Sequence, residues 1–194
     1  MLHNVGVRVD AQRNRDRILE AARALVAETG VDATMEDIAR HAGVAVGTLY
    51  RHFPAKEDLV AAVVEDSLAQ MASLTEGALA AVHAGAPPGP AIGQLFREIA
   101  ERHATDQAFK SAAGRLDVDA EIAGAPPGSP IARSVAAITE LLQRAQIAGQ
   151  VRNDLTLADL GVLLSAVPGS TVSPERRARF VDIVIAGLAA ADEP

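Results

Sequence analysis

The chain has 194 residues, 49% hydrophobic and only 3% aromatic, and its 18 basic against 25 acidic side chains leave a net charge of −7. That length and apolar content suffice for one large or two small domains around a sizeable core. The absence of cysteine excludes disulfides and thiolate metal sites, and no apolar run approaches a membrane span or a signal-peptide core, so a soluble cytoplasmic protein is expected.

From the N-terminus, Arg8, Arg13, Arg15 and Arg17 cluster with only Asp10 and Asp16 among them. They fit either a frayed, solvated end or a flexible arm over residues 1–12 that lies along phosphates or in a minor groove. Ile18, Leu19, Ala22, Leu25 and Val26 then recur at helical spacing, and Gly30 closes that first helix.

Two short helices hinged at Gly43 follow. Thr34 can cap the first, with Asp37 completing a Thr-x-x-Asp capping box. Gly43 ends it, because glycine takes the left-handed backbone of a tight reversal without strain. In the second, Leu49 and Phe53 share one face and can pack inward, which turns Gly47, Thr48, Tyr50 and Arg51 outward. This has the form of a DNA-reading helix-turn-helix; a helical hairpin without a nucleic-acid role has the same local pattern.

Pro54 stops the second helix, and Lys56 begins a long one with Leu59, Val60, Val63, Val64, Leu68 and Met71 on its inner face. The breaker-rich stretch Ala84-Gly85-Ala86-Pro87-Pro88-Gly89-Pro90 must end it near His83. Next come a helix with Ile92, Leu95, Phe96 and Ile99 inward, and another bearing Phe109 that Thr105 can cap. An irregular loop spans Asp117 to Gly128, and Ser129-Pro130 opens a helix with Val135, Ile138, Leu142 and Ala145 that Gly149 closes. Thr156 with Asp159 forms another capping box, Pro168-Gly169 a stop, and Ser173-Pro174 a last start for a helix running to about Ala190. The expected fold is all-α, with roughly nine helices and no convincing strand.

The segments Ile18-Leu19-Glu20-Ala21-Ala22, Ile38-Ala39-Arg40-His41-Ala42-Gly43-Val44 and Gly47-Thr48-Leu49-Tyr50-Arg51-His52-Phe53-Pro54-Ala55-Lys56-Glu57-Asp58-Leu59 resemble the N-terminal domain of tetracycline-repressor-type (TetR family) regulators. The resemblance runs without gaps from Arg13 to Val64. It implies a homodimeric transcriptional regulator, a repressor, that binds a near-palindromic operator and is released when a small molecule enters the C-terminal domain. It also implies a helix-turn-helix domain over residues 13–55, an effector-binding and dimerisation domain over 56–194, and a connecting helix over 56–83. By the same resemblance Thr34, Tyr50, His52 and Lys56 hold phosphates, with Arg13 at the edge of the arm. Ala45 and Ala55 depart from the family, which often has serine or threonine there, so each helix loses a cap worth about 1 kcal/mol.

Other readouts follow from residue chemistry. Ala45, Val46 and Gly47 carry no hydrogen-bonding side chain, so base readout is expected from thymine-methyl contact and close backbone approach, with Thr48 or Arg51 as polar candidates. The net charge opposes DNA binding, but residues 1–60 carry only −1 (eight basic, nine acidic) and residues 61–194 carry −6 (ten basic, sixteen acidic). Leu95, Phe96, Ile99, Phe109, Leu116, Ile138 and Leu142 are inward candidates for an effector site with few inward charges, so an effector should be mainly apolar, although a filled core uses the same residues. The last two helices carry a surplus of apolar positions, Leu160 and Leu164 on one and Phe180, Val181, Val184, Ile185 and Leu188 on the other. These fit either burial within the monomer or a two-fold interface of a four-helix bundle.

No Gly-x-Ser-x-Gly elbow, P-loop or Gly-x-Gly-x-x-Gly occurs, and His3, His41, His52, His83 and His103 lack metal-type spacing, so no enzyme, cofactor or metal is expected. A helical module that sequesters a small molecule or protein without touching DNA is the competing class.

Overall fold

The computed structural model describes residues 3–29, 33–106 and 124–190. Among these the regular elements are all helices: α1 (His3–Thr29), α2 (Met35–Ala42), α3 (Val46–His52), α4 (Lys56–His83), α5 (Pro88–Thr105), α6 (Pro130–Ile147), α7 (Leu157–Ser165) and α8 (Pro174–Leu188). The extra helix expected around Phe109 lies outside the described residues, and Thr105, expected to cap it, is the last residue of α5. The single strand-like feature among the described residues is an isolated antiparallel bridge between Val151 and Ala189.

Two compact units form, residues 1–66 with 106–108 and residues 67–105 with 109–194. The first unit extends beyond the expected boundary at residue 55, because the start of α4 belongs to its core. Leu59, Ala62 and Val63 are buried with Ile18, Leu19, Ala22, Met35, Ile38, Leu49 and Phe53. Val60, expected inward, is 49% exposed, since it sits about 100° around the helix from that stripe. Arg23 of α1 pairs with Asp66 at the end of this section of α4. Residues 3–12, expected as a flexible arm, form the first turns of α1. No proline interrupts them, and Gly6 alone costs about 1 kcal/mol in a helix.

In the second unit α4 ends at His83 as expected, and Gly85 supports the reversal with φ +105°. Helix α5 then starts at Pro88, so Pro88 and Pro90 occupy its first turn, where backbone N–H groups have no intrahelical partner to lose. Ile92, Leu95, Phe96 and Ile99 of α5 pack with Ile138, Leu141, Leu142 and Ala145 of α6 and with Leu160, Val181 and Leu188. Gly93 lets α5 and α8 approach closely, since a Cβ there would stand 3.2 Å from Ile185 Cγ2. Arg177, 4% exposed, reaches Glu101 from α8 and also donates to Val172 O. The caps are as the sequence suggests: Ser129 accepts from Ala132 N–H, Ser173 from Arg176 N–H, and Thr156 and Asp159 form a complete capping box. The Thr156 hydroxyl and N–H both donate to the Asp159 carboxylate and hold it below its usual pKa.

Candidate functional site

The helix-turn-helix is built from local signals that the fold then uses. Thr34 sits in extended backbone (φ −87°, ψ 158°) and its Oγ accepts the Asp37 N–H at 3.1 Å. The same hydroxyl donates to Asp37 Oδ2 at 2.6 Å, and Arg40 donates to Oδ1 at 2.9 Å. That hydroxyl first, and Arg40 after it, hold the Asp37 carboxyl below its usual range. In this arrangement the only proton of the Thr34 hydroxyl is already committed, so it offers no donor to a phosphate.

Helix α2 ends at Gly43 in left-handed backbone (φ 63°, ψ 37°), with the Val44 N–H returning to Ala39 O at 3.0 Å. Two residues later α3 begins without a side-chain cap at Ala45. Helix α4 is better served than expected: Ala55 contributes no hydroxyl, but Asp58 Oδ2 accepts the Ala55 N–H at 3.0 Å, so half of a capping box survives.

Leu49 is fully buried and Phe53 nearly so. Between and before them Ala45, Val46, Gly47, Tyr50 and Arg51 are exposed and Thr48 and His52 half-buried, as is Lys56 beyond them. The inward anchors therefore turn the outer surface of α3 to solvent along its whole length, and Thr34, the N-cap of α2, is exposed as well. A Cβ at Gly47 would meet nothing within 4 Å, so the helix presents bare backbone there. Two contacts went unforeseen in the sequence, because they join residues far apart in the chain: Arg15 lies over the Phe53 ring, 5.6 Å from its centroid, and Arg17 Nη2 donates to Gly43 O at 3.3 Å. Arg13 is exposed on the same helix, and the side chain of Arg8 lies outside the described residues.

A small apolar pocket of about 40 Å³, partly open to solvent, lies in the second unit. Leu95, Phe96, Ile99 and Ile138 line it, as the sequence suggested, whereas Leu142 is buried in the surrounding cluster without lining it. Phe109 and Leu116 fall outside the described residues. Ile92, Leu141, Leu157, Leu160, Gly161 and Leu164 complete the lining and were not anticipated there. Leu157, Leu160, Gly161 and Leu164 do form a visible helical stripe, but a stripe does not distinguish a cavity wall from a subunit interface.

The apolar surplus of α7 and α8 divides in consequence. Leu160, Val181 and Leu188, expected at an interface, belong to the protomer's own core, because they are on the sides of their helices that meet α5 and α6. Leu164, Phe180, Val184 and Ile185 are half-buried against that core. The exposed apolar side chains are instead Val162 and Ile183, each 57% exposed. They face an open groove of about 510 Å³, which Leu163, Val184 and Gly187 line with Arg152 and Asp154 at its edge. Arg152 binds Asp154 through Nε and Nη2 and lowers that carboxyl's pKa.

Among the described residues no group of three or more potential ligands could hold a metal ion, and no helix is long and apolar enough to cross a membrane.

Residues 18–63 match the bacterial regulatory proteins of the tetR family, and residues 87–190 match the C-terminal domain of SbtR-like transcriptional regulators. A TetR transcription regulatory protein from Mycobacterium vanbaalenii is 36% identical with a TM-score of 0.68, over 95% of this chain and 99% of that one. CprB from Streptomyces coelicolor, a TetR family protein whose structure was solved in complex with its biological operator sequence, is 25% identical with a TM-score of 0.65, over 93% and 90% of the two chains. An HTH-type transcriptional regulator of Staphylococcus aureus is 46% identical over 63 residues, which are 32% of this chain and 34% of that protein. The chain thus spans about a third of the length of such curated relatives.

Proposed function

The chain belongs to the tetR family of bacterial regulatory proteins, and from that premise we propose that it is a cytoplasmic, ligand-responsive repressor that binds a near-palindromic operator as a homodimer. One observation carries this assignment: Leu49 and Phe53 anchor α3 so that Val46, Gly47, Tyr50 and Arg51 face outward together. A two-fold axis would carry two such helices to half-sites about one helical turn apart. The exposed pair Val162 and Ile183 supports a partner against α7 and α8, where two helices from each protomer would complete a four-helix bundle.

Val46 and Gly47 are suited to thymine methyls and close backbone approach, with Thr48 and Arg51 as polar readers. Tyr50, His52 and Lys56 are suited to phosphates, which set register without carrying sequence information. The apolar lining of the small pocket supports an apolar effector. Its volume is far below the roughly 300–1,000 Å³ of ordinary ligand sites, so an effector must spread α5, α6 and α7 to enter. That is the kind of differential binding that can shift a two-state regulator.

Salt-dependent binding to a panel of duplexes tests the assignment. Lys56→Ala should weaken binding nearly uniformly and lower the salt slope by about one unit, whereas Val46→Gln should change which bases are preferred. If Lys56→Ala altered base preference and left the slope intact, these roles would be wrong. If no duplex bound with salt dependence, a sequestering module would be the better description.

A further inference from the structure

The turn Gly43-Val44-Ala45 is all that connects α2 to α3, and it contains no side chain able to hold a hydrogen bond. Its backbone closes on α2 through Gly43 N–H to Arg40 O and Val44 N–H to Ala39 O, and the side chain that reaches it from elsewhere comes from α1. Arg17 Nη2 donates to Gly43 O, placing a cation at the C-terminal end of α2, where unpaired carbonyls concentrate partial negative charge. The approach is close enough that a Cβ on Gly43 would lie 2.6 Å from that nitrogen. At the other end of α3, Arg15 lies over the ring of Phe53, the residue that terminates the helix. Helix α1 therefore fastens α3 just before its entrance and at its exit.

We propose that Arg17 is a positioning residue, which sets the orientation of α3 through the Gly43 carbonyl and is not itself a phosphate contact. Arg15 does the same through Phe53. This rests on the operator-binding assignment above, but concerns what fixes the reading helix rather than what it reads. Within the cluster of arginines at the head of the chain, Arg15 and Arg17 then serve the fold of the reading unit, and the α3 side chains meet DNA.

The test uses the full chain, with Arg17→Met to remove the donor and its charge and Arg17→Lys to keep the charge but lose the planar fork. Two readouts are needed: affinity and salt slope for a duplex selected by the wild-type protein from a random pool, and backbone amide shifts of the free protein. Arg17→Met should lose roughly three- to tenfold in affinity with an unchanged salt slope. Its amide shifts should move at residues 43–52 and stay in place at residues 59–63. Arg17→Lys should fall between Arg17→Met and the wild type on both readouts. A drop of about one unit in the slope for Arg17→Met would make Arg17 a phosphate contact and overturn the proposal. Unmoved amides at residues 43–52, or full recovery of affinity in Arg17→Lys without recovery of those shifts, would overturn it as well. Should the wild type select no duplex, the operator assignment fails, and the amide shifts alone decide whether Arg17 sets α3.

Discussion

Gly43 and Gly47 stand four residues apart in the helix-turn-helix, and replacing each by alanine should shift stability in opposite directions. At Gly43 the backbone has φ +63°, a conformation costing an L-residue with a Cβ about 1–2 kcal/mol. The new Cβ would also press on Arg17 Nη2 at 2.6 Å. That is the end of an exposed, flexible side chain and can swing away, so the contact costs only the hydrogen bond to Gly43 O, about 0.5–1.5 kcal/mol. The sum is about 1.5–3.5 kcal/mol of destabilisation. At Gly47 nothing lies within 4 Å of the added methyl and the residue is helical, so Ala should stabilise by about 0.5–1 kcal/mol through reduced unfolded-state freedom. Urea unfolding followed by far-UV circular dichroism, at one fixed protein concentration because oligomerisation shifts apparent stability, measures both. A Gly43→Ala variant as stable as wild type would refute the account of the turn, and a Gly47→Ala variant destabilised by more than about 0.5 kcal/mol would refute that of α3. Gly43→Asn separates the two terms, since asparagine tolerates the left-handed region but still displaces Arg17. It should fall between Gly43→Ala and wild type.

The α7–α8 surface predicts a second contrast: Ile183→Glu should give a monomer by light scattering with little loss of protomer stability. Leu160→Ala, inside the protomer core, should cost about 2–5 kcal/mol in unfolding experiments. Thr34→Ala should remove about 1 kcal/mol from the first unit through loss of the α2 cap. The Asp37 carboxyl has a folded pKa below its ordinary 3.8, so its contribution is present above that value and lost as pH falls through the lower folded pKa. Acid titration of wild type against Asp37→Asn should accordingly converge below pH 3.8 and diverge above it. Finally, an apolar compound that releases DNA should raise the unfolding midpoint of the wild type, and Gly161→Leu, which narrows the cavity wall, should abolish that increment; an unchanged increment would place the effector elsewhere.

The short-range elements of this protein are determined by short-range chemistry. Thr34 with Asp37, Thr156 with Asp159, and Ser129 and Ser173 each followed by proline mark helix starts within four residues of sequence, and Gly43 and Gly149 mark ends that need positive φ. The inward pair Leu49 and Phe53 is likewise set by spacing, and with it the outward face of α3. Tertiary structure decided what no window of sequence contains. Whether an apolar residue on α7 or α8 meets the protomer's own α5 or solvent depends on how those helices are rotated. Leu160 and Val181 are consequently buried while Val162 and Ile183, no more conspicuous in the sequence, are the exposed pair. The small pocket has the same origin: Leu95 and Leu164 lie far apart in the chain and become neighbours only when α5 and α7 pack. Arg15 and Arg17 read locally as charges free for phosphate, because electrostatic patterning along a chain does not reveal that one will find a ring and the other a helix end brought to it by α2 and α3.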